Sequence, residues 1–379
     1  MGRRWLAVGL GVVGCLAAAA CTPAPTVPPG PAQPFIGSFT AARPSGPVPH
    51  TTALKWAVSD ANGDTLTCAL DLDGNGTDDV VVTACTSSSV RSATFAAPGT
   101  TTVRLTVSDG TTAPVTRTVA VTAGAASADA FGIDLRFDAA LTTSQRAAFD
   151  AAASRWEGVI GAGLGDIPLN VPADDCLAGL PAVSTVVDDL LIDADVTAID
   201  GPGGTLAVAG PCYVRSADGL PLYGVMQFDS ADLAVLEGTG QLSSTVVHEM
   251  AHVLGFGTLW DATVLTGAGS ADPVFTGVTA VGAWQGLGRT GPVPVENSGG
   301  PGTADAHWRE SVFGNELMTG YLDAGVNPLS VVTIGSLRDQ GYVVDLGAAD
   351  AFGPPARRAG PPAPPVQLRT VLLSPKGAR

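Results

Sequence analysis

The sequence predicts an α+β fold in which a small all-β sandwich precedes a larger mixed domain. Three observations carry that expectation. Hydrophobic residues make up 45% of the 379 positions, yet 48 Gly and 29 Pro interrupt them, so elements are short and turns frequent. Between residues 51 and 123, apolar and polar residues alternate with period two, as in Thr102, Val103, Arg104, Leu105, Thr106 and Val107. Beyond residue 129, strand patterns alternate with a few stretches of helical spacing. A chain of this length holds two domains and a sizeable core.

From the N-terminus, Arg3 and Arg4 precede an apolar run over residues 5–20 that is too short to span a bilayer and has the shape of an export signal. Ala18, Ala19 and Ala20 ahead of Cys21 resemble a bacterial lipoprotein cleavage site, and Cys15 stands in a similar setting. Residues 1–21 therefore read as a signal peptide, with Cys21 as the residue that would carry lipid and anchor the chain to a membrane. The expected location is extracellular or cell-surface. Residues 22–50, rich in proline, read as an extended linker. The net charge of −16, with only 19 Lys and Arg, excludes a nucleic-acid partner, whose phosphates need clustered cations.

Four cysteines remain beyond the signal, and in an oxidising compartment an even number reads as disulfides. Spacing suggests Cys68 with Cys85 and Cys176 with Cys212; no CxxC pair points to metal. The β module at 51–123 resembles bacterial Ig-like or PKD-like modules through AAPGTTTVRLTVSDG at 96–110 and WAVSDANGD at 56–64. Within it, Asp71, Asp73, Asn75 and Gly76 begin like a calcium loop, but Val82 stands where the bidentate carboxylate is needed, so the segment reads as a polar hairpin turn.

The second domain is expected over 129–348. Phe131, Ile133, Leu135 and Phe137 alternate as a strand; Thr142 and Gln145 form a capping box for a helix with the stripe Phe149, Ala152, Trp156, Val159 and Ile160. Further strands are expected at 190–199, 205–208 and 223–228. The tail at 353–379, proline-rich and basic, reads as disordered.

The chemistry lies in SSTVVHEMAHVLGFG at 243–257. Ser243 or Ser244 can cap a helix, Val246, Val247, Met250, Ala251, Val253 and Leu254 bury it, and Gly255 can end it. His248 and His252, four apart, fall on one helix face and can reach one zinc ion; Glu249, one step round, is placed as general base toward water activated by the metal. With 4 His and 6 Glu, chance yields HExxH on the order of 10⁻³ times in such a chain, so the motif is significant. A catalytic zinc wants a third protein ligand. His50 lies in the linker, and no Glu occurs between Glu249 and Glu296, which leaves His307.

HEMAHVLGFG, then HW at His307 and Trp308 after a long insertion, then NELMTG at 315–320, resembles leishmanolysin-type zinc metallopeptidases of the metzincin clan. The compact metzincin motif puts its third His six residues after the second, where this chain has Thr258. Leishmanolysins interpose a segment there, as residues 256–306 do. The resemblance implies a metzincin fold whose cleft separates a sheet-bearing upper half from a lower half carrying His307 and the Met-turn residue Met318. It also implies hydrolysis of protein or peptide substrates, with 223–228 as an edge strand that pairs with them. The many cysteines and larger C-terminal region of that family are missing here. The contrasting expectation is a surface adhesin with a non-catalytic zinc site, which the base Glu249 argues against.

Overall fold

A computed structural model of the protein describes residues 32–354 and 366–379, apart from 42–43, 49, 86–87, 126–128 and 138–140. The expected signal peptide, with Cys15 and Cys21, lies outside the described residues.

Eight strands form the first unit: β1 (Phe35–Ala41), β2 (Ser45–Pro47), β3 (His50–Ser59), β4 (Thr67–Asp71), β5 (Val80–Thr83), β6 (Ser88–Phe95), β7 (Gly99–Ser108) and β8 (Val115–Gly124). They make two sheets, β1-β3-β6 and β2-β8-β7-β4-β5. Alternate residues such as Leu54, Trp56, Val103, Leu105 and Val107 fill the space between them, as period-two patterning requires. The expected linker is corrected here, because the sandwich begins at Phe35: Ile36 and Phe39 are buried, and β1 pairs antiparallel with β3. Neighbouring prolines hid this strand, since proline occurs at sheet edges but weakens any strand pattern. Cys68 and Cys85 form a disulfide with a Cα separation of 5.9 Å, tying β4 to the residues after β5. The turn after β4 is a polar hairpin turn, in which Asp71 accepts from the Gly74 and Gly76 N–H groups and pairs with Arg104 at 3.2 Å.

The second unit opens with β9 (Ile133–Phe137) and α1 (Thr143–Glu157), whose capping box and buried Phe149, Ala152 and Trp156 follow the sequence pattern. A hairpin of β10 (Ile167–Val171) and β11 (Val183–Val187) leads to β12 (Leu190–Thr197), β13 (Ala207–Val214) and β14 (Pro221–Asp229). A second disulfide, Cys176–Cys212, anchors the loop after β10 to β13. Two helices follow, α2 (Ser230–Thr239) and α3 (Leu242–Val253). Next come β15 (Leu265–Thr266), β16 (Val274–Phe275), α4 (Val278–Gly286), β17 (Val293–Pro294), α5 (Glu310–Phe313), β18 (Tyr321–Leu322) and α6 (Val331–Gln340). The chain returns as β19 (Val366–Gln367), β20 (Thr370–Leu372) and β21 (Gly377–Ala378).

The main sheet has the order β20-β13-β14-β12-β9, with β21 also on β13. Strands β9, β12 and β14 are parallel, and β13 runs antiparallel to β14. Two expectations are corrected by this order. Residues 223–228 lie inside the sheet, between β12 and β13, and are not an edge; that strand is buried on both faces and reads as a continuous apolar run. The tail is not disordered where it is described, because residues 366–379 add strands to β13 and to β18. The prolines before residue 366 dominate the composition of the tail, whereas Val366, Leu368, Thr370, Val371 and Leu372 form a short strand-like run that docking onto an existing edge supplies with backbone hydrogen bonds.

Candidate metal centre

Helix α3 is amphipathic at its start and buried on all sides through the HExxH segment. It starts two or three residues earlier than the serine caps implied. Gly240, with φ of 74°, ends α2, and Gln241 enters α3 directly with no side-chain cap. The Trp156 indole N–H donates to the Val247 carbonyl at 3.0 Å, clamping α3 against α1. After the helix Gly255 adopts φ of 104°, and a Cβ there would meet Gln340 Oε1 at 2.6 Å. Gly257, with φ of 73°, is more constrained: a Cβ would lie 2.3 Å from the Ala306 backbone carbonyl oxygen. The chain after α3 thus passes directly against the residue that precedes His307.

The structure brings His248, His252 and His307 together, all fully buried. Their Nε2 atoms form a nearly equilateral triangle: 3.1 Å from His248 to His307, 3.1 Å from His252 to His248 and 3.0 Å from His252 to His307. Each Nδ1 faces a backbone carbonyl: Leu317 for His248 at 2.7 Å, Phe256 for His252 at 2.8 Å and Thr303 for His307 at 3.0 Å. A carbonyl accepts only, so each Nδ1 carries the proton and each Nε2 presents a lone pair. Three lone pairs at such distances repel one another unless a cation lies among them. Zinc–nitrogen bonds of about 2.0–2.1 Å in a tetrahedron put ligand nitrogens about 3.3 Å apart, so the donor set fits that ion. Burial holds the imidazoles neutral, pushing His248 down to about 4 and, with its neighbour His248, His307 down to about 3. Neutral imidazole is the form that ligates.

Glu249 is also fully buried. Burial pushes its carboxyl up to about 8, against a hydrogen bond that Thr370 Oγ1 donates to Oε1 at 2.7 Å. Its Oε2 meets no hydrogen-bond partner among the described residues. Met318 is buried beside Leu317, the residue whose carbonyl orients His248.

Three positions escaped the sequence reading. Glu316, buried, accepts from the Met318 and Ser330 N–H groups and from the Ser330 and Thr333 hydroxyls, so it fixes the turn carrying Leu317 and Met318. NELMTG carries the resemblance and its Met-turn residue, but nothing local marks Glu316 as buried. Thr370 belongs to the tail set aside as disordered. Gly257 showed no signal beyond its place two residues after Gly255.

Residues 183–354 match the family model described as Peptidase_M8: Leishmanolysin. The chain is 34% identical to leishmanolysin of Leishmania donovani over 178 residues, 44% of this chain and 29% of that protein. It is 31% identical to leishmanolysin of Leishmania chagasi over 204 residues, 49% of this chain and 33% of that protein. A leishmanolysin homolog of Crithidia fasciculata is 31% identical over 159 residues, 39% of this chain and 24% of that protein. The chain thus spans about a third or less of the length of these relatives. Among solved structures, the PKD domain of an M14-like peptidase from Thermoplasmatales archaeon SCGC AB-540-F20 matches at 23% identity and a TM-score of 0.21, covering 25% of this chain and 95% of that one. The second domain is leishmanolysin-like in sequence; the three buried imidazoles and Glu249 lie within the matched region.

Proposed function

We propose that this protein is an exported zinc-dependent endopeptidase of metzincin type, with His248, His252 and His307 as metal ligands and Glu249 as general base. The observation that carries the reading is the convergence of three buried Nε2 lone pairs, two of them from the helix that also carries the buried Glu249, whose Oε2 has no hydrogen-bond partner among the described residues. Zinc held there would supply a Lewis acid that acidifies water and polarises the scissile carbonyl. Glu249 receives the proton of the attacking water at Oε2 and returns it to the leaving amine. Met318 and Glu316 keep the turn that orients His248 in place, and Gly255 and Gly257 bring the chain back so that His307 reaches the helix. Substrate is a protein or peptide in extended form, paired with the edge of β13 that β20 and β21 cover in this structure.

Two disulfides support an oxidising, exported setting, with Cys21 as the proposed lipid anchor. Among the described residues no helix is long and apolar enough to cross a membrane. A purely adhesive protein with a structural metal has no use for a buried base whose Oε2 has no partner among the described residues. The reading is tested by casein hydrolysis with and without a zinc chelator. Activity that withstands complete zinc removal contradicts it.

A further inference from the structure

Residues 366–379 cross the site. Their first part is held by the half that carries His307: the Leu368 N–H donates to the Gly320 carbonyl at 3.1 Å, and Gln367 Nε2 to the Gly299 carbonyl at 3.1 Å. Their later part is held by the sheet. Leu206 N–H donates to the Arg369 carbonyl at 2.9 Å, Leu373 N–H to Ala209 at 2.9 Å and Lys376 N–H to Cys212 at 2.8 Å. Between these anchors Leu368 is fully buried, and Thr370 Oγ1 lies 2.7 Å from Glu249 Oε1. Two glycines make room for the segment. A Cβ on Gly302 would lie 2.1 Å from the Thr370 carbonyl oxygen, and one on Gly210 would lie 2.7 Å from that of Leu373. Both have positive φ, at 85° and 146°. With the segment in place, Glu249 and all three imidazoles have no exposed surface.

We propose that the outer edge of β13 and the facing 299–303 loop form a peptide-binding groove whose resident occupant is this chain's own segment 366–379, which keeps the enzyme latent until it is displaced. The groove takes an extended strand with an apolar side chain at the position of Leu368 and a small hydroxyl residue against Glu249. A substrate needs the same β13 edge and the same approach to the Glu249 carboxylate, so segment and substrate exclude each other. Tethering supplies the occupant at an effective concentration on the order of millimolar, so an affinity of about 10 μM would suppress activity by about 100-fold. This inference rests on the peptidase reading for its consequence, but not for the occupancy itself.

The test inserts a protease recognition sequence after Gly353 in the full chain, so that the segment is cut loose from folded protein, and compares it with uncut Leu368→Asp. Two readouts are followed: the rate at which a chelator strips zinc, and hydrolysis of casein. Cutting followed by dilution, or Leu368→Asp, is expected to speed zinc loss by about 100-fold, and synthetic peptide 366–379 added back restores the slow rate. Faster zinc loss together with a rise in hydrolysis supports both the latency and the peptidase reading. Faster zinc loss without any hydrolysis supports the occupancy and contradicts the peptidase reading. Unchanged zinc loss in both proteins, or no effect of the added peptide, overturns the inference whatever the activity.

Discussion

His248 and His307, 59 residues apart in sequence, hold their Nε2 atoms 3.1 Å from each other with their rings stacked at 15°. That approach requires the insertion after α3 to return to the helix, and Gly257 is the point at which it does.

Gly257→Ala is therefore expected to damage the centre more than its size suggests. The added Cβ meets backbone, which cannot swing aside as a side chain would, and the residue must also keep φ of 73°, a conformation that costs an alanine about 1–2 kcal/mol. Zinc affinity should fall by at least about 10-fold, the lower range for groups that only orient a ligand. Titration with a competing chelator measures it.

His307→Ala removes a ligand outright, so its effect should exceed the roughly 10–100-fold loss typical of orienting residues. The variant is expected to purify without stoichiometric zinc and without hydrolytic activity. Retained zinc by elemental analysis would mean that another residue completes the site.

Glu316→Ala leaves the Met318 and Ser330 N–H groups without their carboxylate acceptor in a buried place. Each such donor costs about 1–3 kcal/mol, so denaturant unfolding should show a loss of several kcal/mol, with weaker zinc binding as the Leu317 carbonyl drifts from His248. Met318→Leu keeps the apolar volume and is expected to change zinc affinity far less.

Asp229 caps α2 through the Ala231 and Asp232 N–H groups and receives those of Ile199, Asp200 and Gly201 on its other oxygen. Burial pushes its carboxyl up, but the backbone donors outweigh this and hold it at about 2. The folded value lies below the unfolded value of about 3.9, so this contribution is complete above that pH and lost as pH falls toward 2. Asp229→Ala should cost about 1–2 kcal/mol at neutral pH, with the difference from the parent shrinking in acid.

Local features of the fold and the site are legible in the sequence. HExxH on a buried helix, the capping box of Thr142 and Gln145, and the spacing of both disulfides are short-range patterns tied to backbone geometry. What it concealed depends on distant pairing. Residues 223–228 look like any apolar strand, and only the neighbours β12 and β13 make them interior. The stretch from Phe35 is a strand because β3 offers it an edge, and residues 370–372 and 377–378 are strands because β13 does. Thr370 and Glu316 enter the site through contacts spanning 121 and 14 residues, which no local periodicity encodes.

The most direct test of the central claim compares tail-released protein with its Glu249→Ala variant, measuring zinc content and casein hydrolysis on the same samples. Stoichiometric zinc is expected in both, since Glu249 is not a proposed ligand, with a loss of hydrolysis of at least about 10²-fold in the variant. Hydrolysis undiminished in Glu249→Ala, or proceeding in a parent that holds no zinc, would contradict the claim.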